Sequence, residues 1–67
     1  MQLVPVVSSY VDAIGFEDGV LEVHFKKNVV CQYPNVPESL FKDFLAAPSK
    51  GQFVHQRLRH LPYRRIQ

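Results

Sequence analysis

The dipeptide Asp18-Gly19 lies between two runs in which apolar and polar residues alternate, and it constrains the fold more than any other feature. A two-residue hairpin turn needs positive φ at both central positions, which aspartate tolerates and glycine adopts freely. The turn predicts one strand from about Tyr10 to Phe16 and a second strand after Gly19. The expected pairs are Glu17 with Val20, Phe16 with Leu21, Ile14 with Val23, and Asp12 with Phe25. Because side chains alternate across a strand, one face collects the apolar residues Ile14, Phe16, Leu21, Val23 and Phe25.

Lys26-Lys27-Asn28 forms a second predicted turn and leads into a third strand. A two-residue loop would bring Gln32 onto the apolar face, whereas a three-residue loop brings Val29, Cys31 and Tyr33 there. We therefore expect the three-residue loop, with Asn28 in the left-handed conformation that asparagine tolerates. The opposite face of the sheet is mixed and is expected to be exposed to water: Gly15, Val20, Glu22, His24, Val30 and Gln32.

The residues after the third strand predict a helix that covers the apolar face. Pro34 ends the strand because proline has no N–H to donate. Asn35 and Glu38 have the spacing of a capping box, and Pro37 suits the first helical turn. The helix is expected from about Pro37 to Ala47, with one apolar stripe made of Leu40, Phe41, Phe44 and Leu45.

A second, shorter helix is expected further along the chain. Ser49 and Gln52 repeat the capping-box spacing and start a helix from about Lys50 to Arg59. Residues 61–66 then read as an extended tail anchored by Tyr63. The side chains of the second helix that are expected to face inward are Phe53, Val54 and Leu58.

These elements predict a single α+β domain over residues 1–67. Its expected architecture is a three-stranded antiparallel β-meander packed by one helix, followed by a second short helix and an extended basic tail. Residues 1–9 are expected to form an extended arm, because Pro5 limits any strand there to the edge of a sheet.

Composition and spacing argue against several classes of protein. The single cysteine, Cys31, allows neither an internal disulfide nor a thiolate zinc site, and we expect it to be buried and inert. His55 and His60 lack the i, i+4 spacing of two ligands on one helical face, so no metal or other cofactor is expected. No arrangement of nucleophile, base and acid predicts catalysis, so we expect no enzyme and no catalytic residue. There is neither an apolar run of roughly 20 residues nor a signal-peptide pattern, and a cytoplasmic location is expected.

Charge is unevenly distributed along the chain. The net charge is +2, but all six acidic residues lie between Asp12 and Asp43. Residues 50–67 contain no acid and carry five of the lysines and arginines, together with His55 and His60. Such asymmetry indicates a polyanionic or acidic partner.

Short motifs over nearly the whole chain carry a family resemblance: Ser8-Ser9, Ile14-Gly15-Phe16, Leu21-Glu22-Val23-His24-Phe25, Tyr33-Pro34-Asn35-Val36-Pro37, Phe41, Ser49-Lys50-Gly51-Gln52-Phe53 and Tyr63. They resemble the KTSC domain, a small module named for its occurrence at the C-terminus of some lysyl-tRNA synthetases and also found as a stand-alone bacterial or phage protein. The family's central Tyr-x-Tyr motif is Cys31-Gln32-Tyr33 here, and Asn28 stands where the second turn usually carries glycine. Because the family is associated with synthetases, the resemblance implies RNA binding. It does not assign a functional role to any particular residue.

Our first hypothesis is a small non-enzymatic module that contacts RNA or other single-stranded nucleic acid through its basic C-terminal surface. Contacts to bases are predicted for His24, Gln32 and Tyr63. Contacts to phosphates are predicted for Lys50, Arg57, Arg59, Arg64 and Arg65.

The competing hypothesis is a protein-interaction module, either an adaptor or an inhibitor that docks on an acidic surface of a bacterial or host protein. The basic tail would meet that surface, and the open edge of the third strand or the N-terminal arm would pair with a strand of the partner. A homodimer fits either hypothesis, because a small core and an open edge both favour association.

Overall fold

The computed structural model describes residues 1–67 and contains one antiparallel sheet and two helices. The strands are β1 (Leu3–Pro5), β2 (Val11–Glu17), β3 (Val20–Phe25), β4 (Val29–Tyr33) and β5 (Arg64–Arg65), and they lie in the sheet in chain order. The helices are α1 (Glu38–Ala46) and α2 (Lys50–Phe53), and α2 continues into a π-helical segment (Val54–Leu58). None of these helices has the length and apolar character that crossing a membrane requires.

Both predicted turns are confirmed. Asp18 and Gly19 have φ values of 52° and 77°, and the pairs on either side of them have the predicted register. Phe25 pairs with Val29 across the second turn, which leaves three residues in the loop. Asn28 is left-handed as expected, with φ of 62°, but Lys27 is also left-handed, with φ of 67°.

The start of β2 differs from the prediction because the strand contains a β-bulge. Phe25 pairs with Val11, whereas Asp12 was its predicted partner, and the register shifts between Val11 and Ala13. Regular alternation would have directed the Asp12 carboxylate into the core. The extra residue instead brings Val11 onto the buried face and leaves Asp12 exposed, where it forms an ion pair with Lys26.

The sheet has five strands, so the prediction of a three-stranded meander is wrong in strand number. The N-terminal arm forms β1, which pairs with β2 through Leu3 and Gly15, and the C-terminal tail forms β5, which pairs with β4. Both added strands are too short to show an alternating pattern in the sequence. The edge of β4 that was expected to be open is therefore paired with the chain's own tail along Cys31 and Gln32.

The core lies between the sheet and the helices, as predicted. Ile14, Leu21 and Val23 are fully buried, and they share one cluster with buried side chains of both helices. Phe44 of α1 stacks on Phe53 of α2 with ring centroids 4.7 Å apart, which joins the two helices over the sheet. The expectation that Gly15 and Val30 face water is wrong, because both are buried. β1 pairs with β2 at Gly15, and the backbone of residues 66–67 hydrogen-bonds to the N–H and C=O groups of Val30.

The two predicted capping boxes have different outcomes. Asn35 adopts a left-handed conformation, and α1 begins after Pro37 without a side-chain cap, so the first prediction is wrong. At α2 the Ser49 hydroxyl accepts a hydrogen bond from the Gln52 N–H at 3.2 Å, as predicted.

Candidate functional site

A groove of about 630 Å³ opens at the end of the sheet that carries the second turn. Its walls come from the residues before β2, the β3–β4 turn, the core side of β4, the π-helical segment and the C-terminal tail. The lining residues are Ser9, Tyr10, Phe25, Lys26, Lys27, Val29, Cys31, Tyr33, Val54, Arg59, Tyr63 and Arg65. The groove therefore brings together parts of the chain that are far apart in the sequence.

The charged side chains that line this groove are all cationic. Lys26 is paired with Asp12 at 2.6 Å, so its charge is partly neutralised. The other three cations, Lys27, Arg59 and Arg65, have no aspartate or glutamate partner within 4.0 Å. No aspartate or glutamate lines the groove. This wall therefore carries an excess of positive charge.

Two exposed aromatic rings lie in the same groove. Tyr10 and Tyr63 are 51% and 59% exposed. Tyr10 packs edge-on against Phe25 at a centroid distance of 5.4 Å, and Tyr63 lies 5.7 Å from Tyr33. Tyr33 is buried, and burial raises its pKa to about 12. The inner rings therefore hold the two exposed rings in place, so that part of each outer ring faces solvent.

The turn at the mouth of the groove is conformationally strained. Lys27 has φ of 67° and ψ of 29°, which is the left-handed helical region. That conformation costs an L-residue with a side chain roughly 1–2 kcal/mol, and glycine is the usual residue there. Retained strain of this kind is common where a side chain serves binding.

Cys31 lies at the base of the groove. It is buried, as expected, and burial raises the pKa of its thiol, while the charge of Arg65 acts in the opposite direction. The thiol is therefore neutral at pH 7 and contributes packing to the floor of the groove.

The structure brings together only three of the residues predicted as nucleic-acid contacts, Arg59, Arg65 and Tyr63. Lys50 lies elsewhere, and its ammonium group donates to main-chain carbonyl groups at the end of α1. Arg57 also lies elsewhere, with its guanidinium 5.2 Å from the centroid of the Phe53 ring and 3.7 Å from Asp43.

The other three predicted contacts lie on the opposite face of the sheet. His24 Nε2 is 2.6 Å from a carboxylate oxygen of Glu22, and Gln32 donates to the other oxygen at 2.8 Å. These two hydrogen bonds hold the pKa of Glu22 below its usual value, and the one with His24 has the larger effect. Arg64 pairs with Gln32 across the strands, so both lie on this face. His24 and Gln32 are therefore separated from Tyr63 by the thickness of the sheet.

Sequence reasoning missed Tyr10, Lys26 and Lys27 as site residues. Charge was counted along the C-terminal segment, whereas the groove also takes cations from the β3–β4 turn. The hairpin register contained this signal: β2 begins next to Tyr10, its partner β3 ends next to Lys26, and the pairing of the two strands brings these ends together. In the structure the Lys26 N–H donates to the Tyr10 carbonyl oxygen at 3.1 Å.

Comparison with known proteins agrees with the resemblance found in the sequence. Residues 7–63 match the model of the KTSC domain. A protein of Tsukamurella paurometabola is 38% identical in an alignment 53 residues long that covers 76% of this chain and 79% of that protein. The crystal structure of a KTSC domain protein from Yersinia pestis superposes with a TM-score of 0.91 at 35% identity, covering 98% of this chain and 97% of that one. The chain belongs to the KTSC domain family.

Proposed function

We propose that this protein is a non-enzymatic binding module that holds RNA or another single-stranded nucleic acid in the groove between Tyr10 and Tyr63. The observation that supports this is the convergence of three cations that have no aspartate or glutamate partner and of two exposed aromatic rings on one concave surface.

The chemistry of the groove matches that of a single strand. Phosphates are attracted to lysine and arginine, and binding releases the counterions condensed on the strand. Bases that are not paired expose their flat faces, on which aromatic side chains stack without regard to sequence. A charged wall beside exposed rings therefore offers a contact to both parts of each nucleotide.

The proposed contact residues differ from those expected from the sequence. Arg59, Arg65 and Tyr63 stay in the set, and Tyr10 and Lys27 join it. Four residues leave it because they lie on the opposite face or away from the groove: His24, Gln32, Arg57 and Arg64. Lys50 leaves it because main-chain carbonyl groups already accept hydrogen bonds from its ammonium group.

Two double variants that remove the same charge test this proposal. One removes two groove arginines (Arg59→Gln with Arg65→Gln), and the other removes two arginines outside the groove (Arg57→Gln with Arg64→Gln). Labelled single-stranded RNA and DNA are titrated at two salt concentrations. The groove variant is expected to lose at least tenfold in affinity, and the matched variant less than threefold. Equal losses, or no binding by the wild-type protein at low salt, would refute the proposal.

A second candidate function is protein docking along the outer edge of β1. This edge has no strand beside it, and the nearby Leu3, Val4 and Val7 are exposed, with Val7 102% exposed. A strand of a partner with an acidic surface would extend the sheet there. A partner retained after nuclease treatment, and lost on Val4→Lys, would support docking. A partner lost on nuclease treatment alone would support nucleic-acid binding.

A further inference from the structure

We propose, resting on the proposed function, that the groove accepts about four nucleotides of a single strand and does not select their base sequence. The residue types that line the groove, and those that are missing from its lining, support this proposal.

Reading a base requires side chains that match its edge. Asparagine and glutamine pair with adenine, aspartate and glutamate accept from cytosine, and arginine or lysine pairs with guanine. None of the first four residue types lines the groove. Its uncharged polar groups are the hydroxyls of Ser9 and the tyrosines and the thiol of Cys31, and these do not distinguish one base from another.

The two arginines of the groove are partly occupied by other hydrogen bonds. The Arg59 guanidinium lies 3.0 Å from Nε2 of His55, and Arg65 Nε donates to the carbonyl oxygen of Gln67 at 3.2 Å. Each therefore has fewer free N–H groups for the two-point contact that guanine needs. They remain suited to phosphate, which accepts from any direction.

The amide side chain of Gln52 lines a smaller concavity that shares Tyr10 and Arg59 with the groove. A contact between this amide and a base would make the groove selective, so Gln52 is the residue to substitute in a test of selectivity.

The number of contacts in the groove determines how many nucleotides it can hold. Two exposed rings provide stacking for two bases, and the three cations without an aspartate or glutamate partner provide contacts for three phosphates. These contacts are complete in about four nucleotides, which is the short end of the range for single-strand sites. Since each neutralised phosphate adds about −0.7 for a single strand, the slope of log affinity against log salt should be about −2. A duplex is excluded because its base faces are already stacked.

The experiment is a titration of homopolymers of A, C and U, two to eight nucleotides long, and of a short duplex, at several salt concentrations. Affinity is expected to rise with length up to about four nucleotides and then to change by less than threefold. The three homopolymers should bind within tenfold of one another, and the duplex at least tenfold more weakly. Gln52→Ala should leave these ratios unchanged.

The possible outcomes separate this inference from the proposed function. No binding by any single strand refutes both. Binding with a tenfold or greater preference among A, C and U, a preference removed by Gln52→Ala, or an affinity that still rises steeply at eight nucleotides refutes the inference and leaves the proposed function standing. If a polyglutamate peptide of matched charge displaces the bound nucleic acid as well as an unlabelled single strand does, charge alone is recognised. This outcome also refutes the inference.

Discussion

The ammonium group of Lys50 lies 2.6 Å from the carbonyl oxygen of Ala47 and 3.1 Å from that of Leu45. The last carbonyl groups of a helix have no partner within the helix, so Lys50 caps the end of α1 from the first residue of α2. Its hydrogen-bonding groups are directed into the protein, although its position in the sequence placed it among the phosphate contacts.

Lys50→Met is therefore expected to lower the free energy of unfolding by about 1–3 kcal/mol, because two hydrogen bonds to carbonyl groups are lost. The salt dependence of oligonucleotide binding should not change. Urea unfolding and titrations at several salt concentrations measure the two quantities. Lys42→Met, at an exposed lysine of α1 that forms no ion pair, is the matched control and should change neither. A smaller salt dependence in Lys50→Met would show that Lys50 contacts phosphate.

Lys27→Gly is expected to have opposite effects on stability and on binding. Glycine adopts positive φ without steric cost, so the free energy of unfolding should rise by about 0.5–1 kcal/mol. The loss of one cation should weaken binding and reduce the magnitude of the salt slope by about 0.7. Asn28→Gly, at the adjacent left-handed position, removes no charge and should leave binding unchanged. If Lys27→Gly binds nucleic acid as tightly as the wild-type protein does, the strained lysine has no part in binding.

Tyr63→Leu is expected to weaken single-strand binding by about 1–3 kcal/mol, because a stacking surface for one base is removed. The measurement is an anisotropy titration with a four-nucleotide strand. Tyr63→Trp keeps a flat aromatic face and should bind at least as tightly as the wild-type protein. Equal affinity of the leucine and tryptophan variants would mean that the exposed ring does not stack on a base.

The same substitution at two glycines should have opposite effects on stability. A Cβ atom on Gly15 would lie 2.9 Å from the carbonyl oxygen of Gln2, so Gly15→Ala should displace β1 and lower the free energy of unfolding by about 1–3 kcal/mol. A Cβ atom on Gly51 would lie 3.5 Å from Cβ of Tyr10, which is ordinary contact. Because Gly51 is helical, Gly51→Ala should raise stability by about 0.5–1 kcal/mol. Urea unfolding of both variants checks this, and a neutral Gly15→Ala would show that β1 is not tightly packed on β2.

The stability contributed by Glu22 should depend on pH. Its pKa is lowered in the folded protein from the ordinary value of 4.5 by hydrogen bonds with His24 and Gln32. A lowered pKa means that the ionised carboxylate stabilises the fold above about pH 4.5 and that this contribution is lost as the pH falls through the folded value. Glu22→Gln should therefore be less stable than the wild-type protein at pH 7, and the difference in stability should be smaller at pH 3. A difference of the same size at both pH values would contradict this.

The central part of the fold was predictable because its signals are local. The Asp18-Gly19 turn fixes its own register, and the alternation after it assigns the buried face. The bulge at Asp12 was missed because the regular pairing of β2 with β3 was assumed to continue as far as Asp12, although that pairing would direct its carboxylate into the core. The two edge strands were missed because segments of two and three residues have no periodicity, and their pairing is decided by the tertiary structure.

The candidate site was predictable only in part, for a related reason. Tyr63, Arg59 and Arg65 were found because they lie in the acid-free C-terminal segment. The pairing of β5 with β4 directs Arg64 and Arg65 to opposite faces, and this alternation could not be seen in a tail that was expected to be extended but unpaired. Lys27 was missed because its contribution comes from proximity in space, since the second turn is over 30 residues from Arg59 in the chain.

The most direct test of binding in the groove is a map of amide and aromatic chemical shifts while a four-nucleotide single strand is added at low salt. The largest changes are expected in the groove, at Tyr10, Lys27, Arg59 and Tyr63, and they should disappear together as salt is raised. Changes concentrated at Glu22, His24 and Arg64 on the opposite face of the sheet, or along β1, would contradict binding in the groove.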